Sequence, residues 1–156
     1  MSKIIIGIDP GHCTGYAEWA PEARALSVVR SCRIDEAMLS VLEMHRAGIL
    51  QKVVFEDARL RKWYAGKGVE SLQGAGSIKR DCTILAEFFG AHNIPHHGIA
   101  PQRGATKWTA KQFAAATGWV GRTNEHGRDA AMLVYGRKSS ITIAASKPKP
   151  NGEPHG

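Results

Sequence analysis

Apolar residues in the first third of the chain recur in short runs that predict β-strands. Residues 3–9 read Lys-Ile-Ile-Ile-Gly-Ile-Asp, a run of β-branched residues typical of a buried strand. Pro10-Gly11 interrupts this run and predicts a tight loop. Two further strands are expected over residues 15–20 and 25–33, joined in a meander. The chain therefore opens with three consecutive strands.

Helical periodicity then alternates with two short apolar runs. The pattern predicts helices over residues 35–48, 78–89, 106–118 and 124–135, and strands over residues 52–56 and 95–100. Asp35 and Asn124 have side chains that commonly cap helix N-termini, and Thr106 is expected to open the third helix. Gly90 and Gly136 are placed to end the second and fourth helices.

Two segments lack such periodicity. Residues 57–76 form a long, basic, glycine-containing stretch that we expect to be a loop. Residues 138–156 hold Lys, Pro, Gly and Ser, with no apolar periodicity after Ala145, and predict a basic flexible tail. We expect one domain over residues 1–137 followed by this tail.

The order of the predicted elements favours an α/β fold in which a mixed five-stranded sheet is flanked by helices. A meander followed by crossover connections places the first and fourth strands side by side, with their carboxyl ends together. Asp9 and Glu56 are the last residues of those two strands. We therefore expect their side chains to be neighbours.

Charge and cysteine content limit the classes of function and the cellular compartments that fit this chain. Lysine and arginine number 21 against 14 aspartates and glutamates, and the formal net charge of +7 favours nucleic acid or a phosphate-rich surface as the partner. A merely basic soluble protein is the alternative that charge alone leaves open. Cys13, Cys32 and Cys82 are odd in number and lack CxxC spacing, which argues against a disulfide framework. No apolar run approaches the roughly 20 residues of a membrane span. We expect a cytoplasmic protein.

Acidic and imidazole side chains stand where the predicted elements would bring them together. Asp9 and Glu56 end core strands, a costly position for a carboxylate unless a cation meets it there. His126 and Asp129 are three residues apart, which places both on one face of the last helix. These residues predict a site for a hard divalent cation, Mg²⁺ or Mn²⁺. Two adjacent carboxylates are alternative ligands: Asp57 and Glu125.

Phosphodiester hydrolysis is a reaction that needs such a site. Two divalent cations about 4 Å apart make a water nucleophilic and stabilise the leaving oxyanion. Asp9, central in the sheet, is suited to bridge two metals, while Glu56 would bind one metal and Asp129 the other. His126 is a candidate metal ligand or proton carrier, since its reference pKa is near neutrality.

The same residues lie in three motifs. Gly7-Ile8-Asp9-Pro10-Gly11 with Thr14-Gly15-Tyr16 opens the chain, Val53-Val54-Phe55-Glu56 follows, and His126-Gly127-Arg128-Asp129-Ala130-Ala131 comes last. In this order they resemble the motifs of the RuvC family of Holliday junction resolvases, over residues 3 to about 136. The resemblance implies an RNase H-like fold, a homodimer, two Mg²⁺ or Mn²⁺ ions per active site and paired nicks across a four-way DNA junction. It also implies metal-ligand roles for Asp9, Glu56, His126 and Asp129.

The resemblance implies one further catalytic residue, and the chain also differs from the family at two places. Lys107 stands where the family places a lysine at a helix start beside the scissile phosphate, and it could stabilise transition-state charge there. The loop between Gly11 and Thr14 holds only His12-Cys13, shorter than in bacterial members, and the stretch after Glu56 is more basic. The chain thus looks closer to phage-encoded relatives, for which the compartment would be the host cytoplasm.

Basic and aromatic residues supply candidate DNA contacts. Residues 59–67 read Arg-Leu-Arg-Lys-Trp-Tyr-Ala-Gly-Lys. The cations are expected to hold phosphates and the rings to stack on exposed bases, although a solvated loop with Trp63 against the core is the alternative. Arg103 and Lys111 lie in an acid-free stretch and extend the set, unless they belong to an ordinary basic face. The predicted DNA-binding residues are Arg59, Arg61, Lys62, Trp63, Tyr64, Lys67, Arg103 and Lys111.

The sequence therefore predicts a metal-dependent, structure-selective endonuclease that resolves Holliday junctions and other branched DNA. A non-catalytic branched-DNA-binding protein is the alternative outside enzymes, but all four candidate ligand positions are filled. An actin-like or sugar-kinase-like ATPase also uses a strand-Asp-x-Gly turn to cradle phosphate. That fold needs a second phosphate loop and a much longer chain than these 156 residues.

Overall fold

The computed structural model describes residues 2–61, 69–102 and 107–139, and for residues 69–73 the backbone alone. Five strands form one sheet in the order β3-β2-β1-β4-β5. Their bounds are Ile4–Asp9 for β1, Thr14–Ala20 for β2, Ala25–Cys32 for β3, Leu50–Glu56 for β4 and His96–Ile99 for β5. Strands β1, β2 and β3 form the predicted antiparallel meander, and β1, β4 and β5 run parallel. The predicted mixed five-stranded α/β fold is confirmed.

The pairing of β1 with β4 decides where the candidate ligands lie. Ile8 of β1 pairs with Phe55 of β4 in parallel register, so Asp9 and Glu56 are the next residues of neighbouring strands. Parallel strands end at the same edge of a sheet. The expectation that the two strand-end carboxylates are neighbours is confirmed.

Helices cover both faces of the sheet. Their bounds are Ile34–Arg46 for α1, Val69–Ala91 for α2, Ala110–Thr117 for α3 and Glu125–Val134 for α4, with a short 3₁₀ turn at Ala58–Leu60. Side chains alternate across β1, so Ile6 and Ile8 join a core with α1 and α2, while Ile5 joins a core with α3 and α4. Phe113 is fully buried in the second core, and Trp108 and Trp119 pack against that core.

The starts of α1 and α3 differ from the predictions, and the start of α4 agrees with them. Arg33, not Asp35, is the N-cap of α1: the Glu36 carboxylate accepts from its backbone N–H, and Asp35 pairs instead with the Arg33 guanidinium. Helix α3 begins at Ala110 behind the N-cap Thr109, so Thr106 does not open it. The predicted cap Asn124 is confirmed, because its side chain accepts from the backbone N–H of Gly127.

The second helix is the largest difference. It begins at Val69 rather than at residue 78, and it runs through Gly90 to Ala91. Part of the stretch predicted as a loop is therefore helical, including Gly74 and Gly76. A helical glycine costs up to about 1 kcal/mol relative to alanine. The buried residues Cys82, Leu85 and Phe89 hold the helix on the sheet and outweigh that preference.

Two glycines let α4 lie directly on the sheet. A Cβ on Gly7 would stand 2.2 Å from the Ala130 carbonyl oxygen, and one on Gly15 would stand 1.9 Å from that of His126. Neither approach is possible for any other residue type at these positions. The glycines of the opening motif thus set the closeness of α4 to β1 and β2.

Three further expectations concern the cysteines, membrane-spanning helices and the C-terminal tail. All three cysteines lie in the described part of the chain and are free thiols, with Cys13 exposed and Cys82 buried. Among the described residues, no helix is both long and apolar enough to cross a membrane. Residues 140–156 lie outside the described part, so the predicted tail stays a prediction.

Candidate active site

One cavity of about 300 Å³ opens at the edge of the sheet where β1 and β4 end. Its wall combines the ends of those strands with parts of α2 and α4 and with the segment before α3. Five predicted catalytic residues meet there: Asp9, Glu56, Lys107, His126 and Asp129. Residues separated by up to 120 positions in the sequence are thus brought together, because β1 and β4 are neighbours and α4 lies against β1 and β2.

Asp9 is the most perturbed acid of the site. Burial, and after it the negative charges of Glu56 and Asp129, raise the pKa of its carboxyl to about 7, while Lys107 opposes them. The pKa of Glu56 is also raised, first by burial and then by Asp129, with Arg61 and Lys107 acting in the opposite direction. Burial and the neighbouring carboxylates therefore disfavour the charged form of both strand-end acids.

Helix α4 carries the other two candidate ligands, Asp129 and His126. Asn124 caps its N-terminus, so His126 and Asp129 fall in its first turns. His126 is exposed at the cavity and Asp129 is half-buried. Gly127 sits where a Cβ would be 3.1 Å from the Arg30 backbone nitrogen, which again shows how tightly this turn meets the sheet. The spacing of three residues does place both candidate ligands at the cavity.

Lys107 is the cation in direct contact with these acids. Its ammonium lies 3.3 Å from Asp129 Oδ2 and donates to Glu125 Oε1. The hydrogen bond to Glu125 is the main reason that the pKa of Lys107 is raised, and the same contact lowers the pKa of Glu125. Lys107 therefore stays charged at the mouth of the site.

Arg128 fixes the chain beside Lys107. Its Nε donates to the backbone carbonyl of Trp108 at 2.9 Å, and its Nη1 donates to the carbonyl and hydroxyl oxygens of Thr123 at 3.1 and 2.9 Å. One guanidinium thus ties the segment before α3 to the segment before α4. These hydrogen bonds fix the backbone next to the residue from which the Lys107 side chain extends.

A divalent cation suits the site in donor type and charge. Asp9, Glu56 and Asp129 offer the oxygen ligands that Mg²⁺ and Mn²⁺ prefer. The pKa of Asp9 is raised first by burial and then by Glu56 and Asp129, and a bound cation would offset both effects. As the side chains are placed, no group of three His, Cys, Asp or Glu in the described residues is arranged to hold a metal ion. The ligands would therefore have to draw closer around a bound ion.

The alternative carboxylates have different roles. Asp57 is 3 % exposed, forms a two-bond ion pair with Arg59 at 2.9 and 2.8 Å, and does not line the cavity. These bonds lower the pKa of Asp57. Glu125 pairs with Lys107 at the mouth of the cavity rather than lining it. Glu56 rather than Asp57 is therefore the strand-end acid that faces the site.

Three of the eight predicted DNA-binding residues lie in the described part of the chain, each in different surroundings. Arg61 lines the cavity, Arg59 is engaged with Asp57, and Lys111 is exposed on α3. The remaining ones lie outside the described residues: Lys62, Trp63, Tyr64, Lys67 and Arg103.

The sequence analysis did not single out Lys79, Arg128 or the pairing of Glu125 with Lys107. Lys79 lies on α2 and lines the cavity together with Ala75 and Ile78. For Glu125 a signal existed, since Glu125 and Asp129 are four residues apart and so share a helix face. Nothing in the spacing indicated that Lys107 lies between them.

Comparison with known proteins identifies the fold. The structure is similar to that of T. thermophilus RuvC in complex with a Holliday junction substrate, with a TM-score of 0.56 and 18% sequence identity. The match covers 85% of this chain and 91% of that one. No protein-family model matches the chain, and no curated protein matches its sequence. The RNase H-like, RuvC-like fold that the motifs implied is thus confirmed.

Proposed function

We propose that this protein is a metal-dependent, structure-selective endonuclease that resolves Holliday junctions, and other branched DNA, by paired phosphodiester hydrolysis. The observation that carries the proposal is the cavity in which Asp9, Glu56, Asp129 and Lys107 meet. Binding of a Holliday junction by a protein of the same fold supports DNA junctions as the substrate. The formal net charge of +7 supports a polyanionic substrate independently.

In this proposal Asp9, Glu56, His126 and Asp129 hold the metal, Mg²⁺ or Mn²⁺, with two ions per site. The bound ions would supply an ionised water and stabilise charge on the phosphate and the leaving oxygen. Lys107 contributes positive charge at the cavity mouth, where the phosphate enters. The water oxygen would form the new bond to phosphorus and its proton would pass to solvent, while the bond from phosphorus to the leaving sugar oxygen would break and that oxygen would take a proton from solvent.

The proposal extends to assembly and lineage. Two symmetric nicks need two active sites, which a homodimer with two-fold symmetry would supply. The RuvC-like motifs support membership of that family, and the short His12-Cys13 loop supports a phage-type member. Arg61 and Lys111 would contact phosphates, together with the predicted DNA-binding residues outside the described part of the chain.

A cleavage assay tests this function directly. The protein is incubated with Mg²⁺ and a labelled synthetic four-way junction, and products are resolved on a denaturing gel. We expect paired nicks in opposing strands and little cutting of a linear duplex of the same sequence. The matched control is Asp35→Asn, which removes an exposed acid that does not line the cavity. Tight junction binding without any nick would instead indicate a non-catalytic branched-DNA-binding protein.

A further inference from the structure

The Lys107 ammonium contacts a carboxylate that the proposed function gives to the metal. It lies 3.3 Å from Asp129 Oδ2, an oxygen of a carboxylate that would hold the divalent cation. It also donates to Glu125, a carboxylate outside the proposed ligand set. Lys107 thus stands between one acid of the catalytic cavity and one acid beyond it.

We propose that Lys107 is a resident counter-cation that competes with the metal for Asp129, and that Glu125 is the positioning residue that receives Lys107 when the metal binds. This inference rests on the proposed metal-dependent function and deepens it. In the metal-free protein the ammonium bridges both carboxylates. With metal on Asp129, the ammonium withdraws to Glu125 and stays at the cavity mouth, facing the incoming phosphate.

The exposure of the three side chains fits such an exchange. Lys107 is 64% exposed and Glu125 53%, whereas Asp129 is 26% exposed. The pair with Glu125 is therefore on the solvent side, and the contact with Asp129 reaches inward. Ion pairs this exposed are weak, so the ammonium can leave Asp129 with little loss. A divalent cation has twice the charge of the ammonium and forms direct bonds to carboxylate oxygens. It therefore displaces the ammonium from Asp129.

Helix geometry gives Glu125 its role. Glu125 and Asp129 are four residues apart on α4, which puts both on one face, about one turn from each other. Arg128 anchors the Trp108 carbonyl, next to Lys107 in sequence, at 2.9 Å. The backbone at Lys107 is thereby held, and only its flexible side chain has to move between the two acids. A carboxylate at position 125 keeps the cation from being left without a partner.

Calorimetric binding of Mn²⁺ to the full-length protein, without DNA, tests the inference. Four proteins are compared: wild type, Lys107→Gln, Glu125→Gln and the double variant. We expect Lys107→Gln to tighten Mn²⁺ binding about threefold or more, because Asp129 loses a competing cation. Glu125→Gln should weaken Mn²⁺ binding in the wild-type background. Without the Glu125 carboxylate, Asp129 is the one acid of the two that still pairs with Lys107, so the ammonium competes more strongly with the metal. In the Lys107→Gln background the same change should have a clearly smaller effect.

Controls separate direct competition from a general charge effect. Arg122→Gln removes an exposed cation close in sequence to Glu125 and should leave the Mn²⁺ affinity within about twofold. Equal effects of Glu125→Gln in both backgrounds would show that Lys107 and Glu125 act only as remote charges, and would overturn this inference while leaving the function intact. A wild-type protein that binds no Mn²⁺ would overturn the metal-dependent function as well. Melting curves of all variants confirm that each is folded.

Discussion

At the scale of single residues, the proposed chemistry depends most on Asp9. It ends β1, lines the cavity and carries a pKa raised to about 7 by burial and by its acidic neighbours. A carboxylate in that environment is stabilised by a bound cation and destabilised without one. The sequence showed its type and its strand-end position, but not how strongly Glu56 and Asp129 would act on it.

We predict that Asp9→Asn abolishes cleavage, by at least about a hundredfold, while junction binding stays within a few-fold of wild type. The amide keeps the shape of the side chain but loses the negative charge that would anchor the metal. Phosphate contacts from cations elsewhere are retained. Gel assays of cleavage, with fluorescence anisotropy for binding, give both quantities. Cleavage near the wild-type rate would rule Asp9 out as a metal ligand.

The raised pKa of Asp9 also predicts how stability changes with pH in the metal-free protein. From its usual value of 3.8 up to about 7, the folded state holds a proton that the unfolded state has lost, so stability falls across this range and then levels off. Asp9→Asn removes this contribution. The variant should melt several degrees higher than wild type above pH 7.

The melting difference should close as the pH approaches 4. Scanning calorimetry in EDTA, from pH 4 to 8, measures it. A difference that does not depend on pH would mean that Asp9 is ionised throughout. Adding Mn²⁺ should reduce the difference at pH 8, because a bound ion relieves the repulsion in wild type.

At the scale of elements, the strands and α4 followed the sequence pattern and α2 did not. Strand periodicity and the Asn124 cap are local signals, and both were sufficient. The start of α2 depends on the packing of residues further along, such as Cys82 and Leu85, which outweighs the local effect of Gly74 and Gly76.

We predict that Gly15→Ala destabilises the protein by about 2 kcal/mol or more, because backbone shifts to relieve overpacking are costly. The added Cβ would stand 1.9 Å from the His126 carbonyl oxygen, so α4 must move away from β2. That displacement also carries His126 and Asp129 from the cavity, so activity should fall even at temperatures where the variant is folded.

Gly90→Ala is the matched control for this change. Gly90 lies in α2, and a Cβ there meets nothing within 4 Å. Alanine should therefore be neutral or stabilising by up to about 1 kcal/mol. Urea unfolding of both variants provides the comparison, and similar stability of the two would show that α4 is not held by its contact with Gly15.

Helix α2 also supplies a cation to the wall of the cavity, at Lys79. Ala75, Ile78 and Lys79 share one face of α2 and line the cavity, on a different element from Lys107. If DNA enters as proposed, Lys79 approaches a phosphate near the scissile one. Lys79→Gln should raise KM several-fold with a smaller change in kcat and reduce the salt dependence of junction binding.

Arg80→Gln serves as the control, since Arg80 is the next residue of α2, is exposed and does not line the cavity. It removes the same charge from the same helix. Equal changes in KM for both variants would show that α2 contributes only its overall charge and that Lys79 has no particular phosphate contact.

At the scale of the whole molecule, fold and candidate ligands were predictable because each rests on local patterns joined by one topological rule. Apolar runs define β1 and β4, their parallel pairing brings Asp9 to Glu56, and helical spacing brings His126 to Asp129. The contact of Lys107 with Glu125 joins segments 18 residues apart that no periodicity relates. Such contacts depend on how loops close over the sheet, which sequence patterns do not encode.

The last prediction concerns assembly. Paired nicks in opposing strands require two copies of the cavity, and a two-fold dimer is the simplest arrangement. Helix α2 presents apolar side chains to solvent, with Ile78 36% and Ile84 40% exposed. We predict that the protein is a dimer in solution and that Ile84→Lys shifts it toward the 16.9 kDa monomer. A lysine in an apolar interface would be buried without a partner, which is costly.

Light scattering coupled to size exclusion measures the mass, with and without a four-way junction. Leu39→Lys is the control, because Leu39 is an even more exposed apolar residue, at 58%, but belongs to α1. It should leave the dimer intact. If Ile84→Lys is monomeric and still bound to DNA, it should give single unpaired nicks rather than resolved duplexes, since each cavity then acts alone. A wild-type protein of monomer mass under both conditions would contradict the dimer and, with it, the paired mechanism.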